Sequence, residues 1–568
     1  MEMNKSVMGD VLDIGDEQVL IYDEDSNGAD VGNSFFETRC HGIRVLILAP
    51  HPDDEINVAG NMIVNLIRAR AEVFVAYSTN GDFEIDANRR VAECVQSLKI
   101  LGVKTENVIF LGYGDTYNYT GKPHIFYAEE PVQSPAGKVE TYAGGGFSDY
   151  SFIKRGEHSK YTRQNYLRDL KDLILDIKPD IIFCVDFDLH ADHRMLSIMF
   201  ETAMAEILSR TGNDYTPEIY KRFAYSTAFT AARDFYSNNL LETKKPIAGK
   251  NESYDFDLID CTNYDWNERV RFPIPESCRN PFIKDNVIAR AAFCHKSQRI
   301  EWNTLGILNS DEIYFERRTD NLIFTAKAKA SSGNFNKVRD FQMINTTDID
   351  ASPPKFDNYL WVPDINDNDK RLSFVWNQLQ QIEQVKIYGA ITGGDCTLAV
   401  NLDSVYKAEF KMPDRGLPIV INLPERIFAS RADFKILQTD SACGISEIEI
   451  FAERESRRVI KPFIKIIAED NFIYDYYIVN SIKTLTLGLY RFHIDTPVEF
   501  TASGADIECN GDKVTLNFTS DNVSLRAEII GEPTIFDQIN IHRVSKTYFW
   551  KLRFNQFCER IKIHLERK

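Results

Sequence analysis

The feature that most constrains this chain is Val45-Leu46-Ile47-Leu48-Ala49-Pro50-His51-Pro52-Asp53-Asp54-Glu55, an apolar run that ends in one imidazole and three consecutive carboxylates. An apolar run without alternation suits a strand buried on both faces, as in a parallel α/β sheet. The polar cluster then falls just past the strand's carboxyl end, where open α/β sheets place their ligands. Adjacent acids repel one another and desolvate badly, so a bound cation is one way to hold them. A solvated helix start is the other, because Asp-Asp-Glu also suits a helix N-terminus.

The chain downstream extends the α/β reading. A helix is predicted over Val58–Arg70 and a strand over Glu72–Ser78. A second helix spans Asn88–Leu101, with Val91, Val95, Leu98 and Leu101 at helical spacing and Gly102 as its stop. A strand at Asn107–Leu111 completes βαβαβ, the pattern of a Rossmann-like, doubly wound parallel sheet. Residues 116–160 interrupt it. They are rich in Tyr, Gly and Pro and contain Gly144-Gly145-Gly146, His124 and His158. A functional loop walling a pocket and a plain surface excursion are both open there. The alternation resumes with a helix over Gln164–Ile177, a strand over Ile181–Phe187, a helix from Arg194 to Leu208 and a helical stretch at Lys284–Cys294.

After Glu312 the texture changes to short apolar runs broken by Asn, Asp, Gly and Pro. Leu322–Ala326, Leu372–Val375, Gln384–Tyr388, Thr397–Asn401, Ile419–Leu423 and Ile445–Ala452 predict an antiparallel sandwich. Ile507–Cys509, Val514–Phe518 and Val523–Glu528 belong to another β-rich segment. With 568 residues, too many for one core, the predicted organisation is an acidic lead-in at 1–41, an α/β domain at 42–310, a β-sandwich at 311–455, a second β-rich domain at 456–545 and a helix at 546–568.

A net charge of −18 excludes broad nucleic-acid binding, which needs a basic face. No apolar run is long enough to cross a membrane as a helix, and the first forty residues show no cationic-then-apolar leader. The ten cysteines are scattered with no Cys-x-x-Cys pair, which predicts reduced, structural thiols and a cytoplasmic protein.

The chemistry comes from pairing the opening motif with Asp188-Leu189-His190-Ala191-Asp192-His193, which follows the later buried strand. A hydrolytic zinc ion takes three His or carboxylate ligands and keeps one open position. His51 and Asp54 supply two from one loop, and His193 is a natural third. Asp53 is then free to act as general base. His190 is free to act as a cationic donor to the oxyanion or leaving amine, with Asp192 or Asp188 orienting an imidazole. Glu55 reads as a residue supporting these groups or starting the helix. This set suits amide hydrolysis. Such a His2Asp site also accepts Fe2+ or another divalent ion.

At these residues the chain resembles the PIG-L (LmbE-like) zinc deacetylases, through Ala49-Pro50-His51-Pro52-Asp53-Asp54-Glu55 and His190-Ala191-Asp192-His193. Thr79-Asn80-Gly81-Asp82, Arg90-Val91-Ala92-Glu93, Leu111-Gly112-Tyr113-Gly114-Asp115 and His295-Lys296-Ser297-Gln298 resemble further family segments, so the likeness covers about 42–303. The resemblance implies removal of an N-acetyl group from an N-acetylglucosamine-type sugar, with His51, Asp54 and His193 on zinc, Asp53 as base and His190 as acid or oxyanion partner. It also implies Arg90 and Asp115 as contacts to sugar hydroxyls, although an ion pair of Arg90 with Glu93 or a neighbour is the alternative. Ala191 stands where the family usually has Pro, and the insertion after Asp115 has no general counterpart.

Ala328–Ser332, Asp340, Leu360-Trp361-Val362, Leu372–Trp376, Val385–Tyr388 and Gly444–Ile450 resemble a discoidin, or coagulation-factor type C, galactose-binding-like jelly roll. That resemblance implies glycan binding or, alternatively, a docking role. Trp361 and Trp376 are expected in its core more than on a sugar platform. At the end of the chain, Trp550, Phe554, Phe557, Ile561 and Leu565 form one helical stripe among Lys546, Lys551, Arg553, Arg560, Lys562, Arg567 and Lys568. Such a segment fits an anionic membrane face or docks onto a protein surface, its own or a partner subunit's. Three functions follow as expectations: an N-deacetylase, an amidase of a larger sugar-conjugate amide, and a non-catalytic glycan-binding or assembly protein with a vestigial site. The four costly polar groups of an intact site argue against the last.

Overall fold

In the computed structural model, the apolar run of the opening motif is an inner strand of an eight-stranded sheet. The strands run in the order Ala29–Asp30 (β1), Arg269–Phe272 (β7), Glu312–Arg317 (β8), Glu218–Arg222 (β6), Ile181–Val185 (β5), Arg44–Ala49 (β2), Glu72–Thr79 (β3) and Val108–Tyr113 (β4). The structure describes residues 29–30, 40–116, 125, 128–186, 190–211, 214–222, 224, 268–272, 274–278, 286–298, 312–343, 360–391, 395–412, 418–439, 443–452, 463–468, 471–472, 475–492, 494–552 and 554. His124, Asp188 and the stripe beyond Phe554 lie outside them.

Strands β4, β3, β2, β5 and β6 pair in parallel, as expected. The sheet as a whole is mixed, because β8 runs antiparallel to both β6 and β7. Val45 to Ala49 are at most 1% exposed, which is why the run carries no polar alternation. From β2 the chain winds outward to β3 and β4, then crosses back to β5 on the other side of β2. The carboxyl ends of β2 and β5 therefore flank the switch point, where a crevice opens beyond the sheet.

The helix after β2 spans Asp54–Arg68 (α1), starting at Asp54 rather than Val58. Asp54 and Glu55 in its first turn are favourably placed for the helix dipole. It kinks at Ala59 (φ −155°, ψ 27°). The groups near the break bond to β8: Asn61 donates its backbone N–H (3.3 Å) and side-chain amide (2.7 Å) to Glu312, and Tyr314 donates its hydroxyl to the Val58 carbonyl (2.9 Å). The first sheet thus takes in Glu312–Arg317, past the expected boundary at 310.

Helix Ala87–Leu101 (α2) is capped by Asp86 and stopped by Gly102 at φ 95°. The insertion contributes Tyr150–Arg155 (α3) and an antiparallel bridge between Glu140 and Lys160. Thr162 caps Arg163–Ile177 (α4). After β5 the helix begins at Ala191 and runs to Thr211 (α5), so His193 sits on a helix's first turn. The late helical stretch is Val287–Ala292 (α6), followed by a 3-10 turn at Lys296–Gln298.

The second body is an antiparallel sheet of Tyr406–Lys411, Cys396–Leu402, Ile419–Thr439, Arg371–Ile391 and Cys443–Phe451, with Lys327–Ala330 added to the long Arg371 strand. The two expected strands at 372–375 and 384–388 are one bulged strand. Leu322–Thr325 is a 3-10 turn instead of a strand; Asn321 caps it, and three consecutive apolar residues do not distinguish a buried turn from a strand. Trp361 and Trp376 are both core residues, donating Nε1–H to the carbonyls of Ser332 (2.8 Å) and Leu322 (2.9 Å). Cys396 and Cys443 form a disulfide, which corrects the expectation that all thiols are reduced. Residues 463–544 form a third body of two sheets, five-stranded and four-stranded, and a helix follows from Lys546. No helix among the described residues is long and apolar enough to cross a membrane.

Candidate metal centre and active site

Two segments leave neighbouring strands at the switch point and face each other. Pro50–Asp53 turn the chain from β2 into α1, and the first turn of α5 brings Asp192 and His193 alongside. His51 is held from both sides, with Nδ1 2.9 Å from Asp54 Oδ2 and Nε2 3.1 Å from Asp192 Oδ2. His193 Nε2 lies 3.1 Å from the same Asp54 oxygen. The ring centroids of His51, His190 and His193 stand 4.6, 5.3 and 4.9 Å apart. Residues from either end of the crossover, far apart in sequence, therefore form one buried cluster.

The donor set fits a divalent ion. Donors 2.0–2.2 Å from a tetrahedral ion lie roughly 3.3–3.6 Å from one another. The Asp54 oxygen is close to that separation from both imidazoles, and two nitrogens with one carboxylate suit Zn2+ as well as Fe2+. Overlapping triples that share His51 also bring in His190, Asp53, Asp115 and Asp192 as possible donors. Asn57 donates to the second Asp54 oxygen at 3.1 Å and fixes that carboxylate.

Electrostatics sorts the carboxylates. Burial would raise Asp54, but the adjacent His193 and His51 outweigh it and hold the group well below the usual carboxylate range. Asp192 behaves alike: burial opposes ionisation, and the His51 contact still holds it low. Burial lifts Asp53 above the usual value against the pull of the Arg90 guanidinium. Asp115 is pushed up to about 7 by burial; its oxygen lies 3.9 Å from His51 Nε2, which works the other way.

Burial, with His51 and His193 beside it, pushes His190 down to about 3, a shift that favours the neutral imidazole over the charged one. Its tautomer follows from one bond. The Asp192 backbone N–H donates to His190 Nδ1 at 3.2 Å, so the ring's proton sits on Nε2, still able to donate.

Arg90 pairs with Asp53 (Nη2 to Oδ1, 2.9 Å) and not with Glu93, whose carboxylate takes Arg89 (3.1 Å) and both the N–H and hydroxyl of Ser297. Gly81, at φ 61°, makes this possible: a Cβ there would lie 2.7 Å from the Arg90 guanidinium carbon. Glu55 is fully buried and accepts from Tyr77 (2.9 Å) and Ser97 (2.7 Å), with His295 Nε2 2.6 Å away. It ties α1 to β3, α2 and the late His295-Lys296-Ser297-Gln298 segment.

Some participants carried no signal of their own in the sequence. Thr116 bonds Asp192 through its N–H (3.0 Å) and its hydroxyl, yet it reads as the first residue of an irregular insertion. Asp82 accepts the Asp115 N–H at 2.9 Å, a contact that its place in Thr79-Asn80-Gly81-Asp82 only hints at.

The described residues thus place a cluster of His and carboxylate groups that could hold a metal ion at the switch point of a mixed α/β sheet. Residues 46–204 match the family model for GlcNAc-PI de-N-acetylase, PIG-L, and form a PIG-L family domain within this chain. No curated protein matches the chain. Among solved structures, similarity extends to the N,N'-diacetylchitobiose deacetylase of Pyrococcus horikoshii, at 21% identity and a TM-score of 0.22 over 40% of this chain and 70% of that one. It also extends to CpGH89CBM32-6 of Clostridium perfringens, at 15% identity and a TM-score of 0.16 over 23% of this chain and 94% of that one. The family 32 CBM of C. perfringens NanJ, in complex with galactose, gives 15% identity and a TM-score of 0.16 over 22% of this chain and 93% of that one.

Proposed function

We propose that the chain is a metal-dependent hydrolase that removes the N-acetyl group from an N-acetylglucosamine-type sugar in a glycan, glycolipid or glycoconjugate. The observation that carries this reading is the convergence of His51, Asp54 and His193 with Asp53 and His190 in a PIG-L domain. His51, Asp54 and His193 are the residues proposed to hold Zn2+, which when bound supplies Lewis acidity toward the acetyl carbonyl and toward water. Asp53 takes the proton from the attacking water, with Arg90 orienting its carboxylate. His190 Nε2–H donates to the oxygen that gains charge as the carbonyl carbon becomes tetrahedral. Asp192 keeps His51 in place, and Asp115 with Arg90 takes the sugar hydroxyls. Asp53 then returns the proton to the departing nitrogen as the C–N bond breaks, leaving acetate and an amine.

Product analysis separates this from its nearest rival. Incubation with a panel of N-acetylglucosamine-containing saccharides and larger-acyl conjugates should release acetate and one equivalent of free amine. A larger acid released with no acetate from any substrate identifies an amidase and rejects the deacetylase reading. Chelation should stop release, and Zn2+ or Fe2+ added back should restore it.

A second element concerns the tail. Phe549 is buried, while Tyr548, Trp550 and Phe554 are 48, 56 and 63% exposed, so the start of the stripe faces away from the protein body. With seven basic residues against Glu559 and Glu566 over 546–568, we take it as a contact for an anionic membrane face. The full chain should co-sediment with phosphatidylglycerol-containing vesicles, and Trp550→Glu with Phe554→Glu should lose at least tenfold in partitioning. Unchanged partitioning rejects the membrane contact and leaves a partner subunit. Cysteine usage, now including a disulfide, no longer argues for a reducing compartment.

A further inference from the structure

The insertion after Asp115 is fastened to the site at several points. Its Tyr142 N–H donates to the Gly112 carbonyl (3.1 Å), and the Tyr142 carbonyl accepts the Asn80 side-chain amide (2.8 Å). Gly112, at φ 81°, and Gly114 leave the room this needs. A Cβ at Gly112 would run into the Tyr142 carbonyl, and one at Gly114 would lie 2.5 Å from Ser134 Cβ. Gly144 lies flat on the first turn of α2, where a Cβ would come within 2.6 Å of the Ala87 backbone. Gly145 N–H donates to Asn88 Oδ1 at 2.9 Å on that same turn. The segment is also braced on itself, by Thr141 N–H to Ser159 O (2.8 Å) and Tyr161 N–H to Val139 O (3.0 Å). From this fixed frame the Tyr142 hydroxyl donates to Asp82 Oδ2 at 2.5 Å, and Asp82 Oδ1 accepts the Asp115 backbone N–H at 2.9 Å.

We propose that residues 128–162 are a fixed wall of the substrate crevice on the β4 side, and that Tyr142 is a positioning residue acting on Asp115 through Asp82. Tyr142 is half-buried, with its hydroxyl tied to Asp82 and Lys138 Nζ 5.0 Å from its ring centroid. The wall explains why a Gly-Gly-Gly stretch and the glycines around Tyr113 belong to the same device. Gly112, Gly114, Gly144 and Gly145 each remove a side chain where the insertion meets the end of β4 or α2, whereas a Cβ at Gly146 would meet nothing. The inference rests on the deacetylase reading for the identity of the ligand, an N-acetylated saccharide, but not for the placement of Asp115.

The test compares Tyr142→Phe with Tyr150→Phe in the full chain. Tyr150 is another insertion tyrosine with a carboxylate partner, Asp176 at 2.7 Å, on α4 and away from Asp115. Losing a hydrogen bond to a carboxylate costs about tenfold in an equilibrium. In Tyr142→Phe, KM for the acetylated saccharide should therefore rise about tenfold with kcat within about twofold. Amide hydrogen exchange at Asp115 should quicken about tenfold, and Tyr150→Phe should move neither. Equal effects from the two variants, or an unchanged Asp115 amide in Tyr142→Phe, would overturn the proposal. If wild-type protein releases no acetate from any saccharide, the deacetylase reading falls, and the exchange comparison still decides whether Tyr142 positions Asp115.

Discussion

Asn in place of Asp53 is expected to lower acetate release by about 10²–10⁴-fold, the usual worth of a positioned general base, while metal content stays at the wild-type level. The two halves of that expectation separate the roles of adjacent carboxylates. Asp54 touches both imidazoles, at 2.9 and 3.1 Å, whereas Asp53 faces Arg90. Asn keeps the shape of Asp53 and still accepts from Arg90, but it takes no proton from water. Steady-state kinetics on an N-acetylglucosamine-containing saccharide, with metal analysis of the same sample, checks both halves. Metal lost together with activity would make Asp53 a ligand and would undo the assignment.

Ala in place of Glu55 is expected to cost about 3–5 kcal/mol of stability, because removing one member of a buried charged pair strands the other. Glu55 and His295 are both fully buried and 2.6 Å apart, and Tyr77 and Ser97 lose the same acceptor. The effect depends on pH with a definite sign. Burial alone would lower His295, but Glu55 outweighs it and raises the imidazole above its ordinary value. A raised folded pKa contributes stability fully below the unfolded value of about 6.5 and loses it as pH rises through the folded one. Denaturant melts of Glu55→Ala, His295→Asn and the double variant should therefore show a larger coupling at pH 6 than at pH 9. A coupling that is flat or grows with pH contradicts the charged pair.

The features that the sequence made legible were those in which one local pattern has one physical outcome. Val45–Ala49 is apolar throughout and becomes a strand buried on both faces. Ile181–Val185 reads the same way, and two such strands followed by histidines place His51, Asp54 and His193 together once they are neighbours. Gly102 announces the end of α2 by the left-handed conformation it supplies. What stayed hidden depends on partners from elsewhere in the chain. Glu55 looks like a helix-start acid until Tyr77, Ser97 and His295 converge on it. His190 reads as a ready donor, and its burial beside two other imidazoles, which lowers its pKa, shows only in the fold. Glu312–Arg317 looks like the start of the β region, yet its Glu312 and Tyr314 complete the kinked α1. Neither Cys396 nor Cys443 has a spacing that announces a disulfide, because they begin strands that are not neighbours in the sheet and meet only once the sandwich has folded.

The most direct test of the central claim measures metal content and acetate release together on the wild-type chain. Acetate and free amine are quantified from N-acetylglucosamine-containing saccharides before chelation, after it and after Zn2+ is restored. The account predicts about one divalent ion per chain, with acetate and amine released in equal amounts and in proportion to the bound ion. An ion bound in full with neither acetate nor amine released from any saccharide would contradict it.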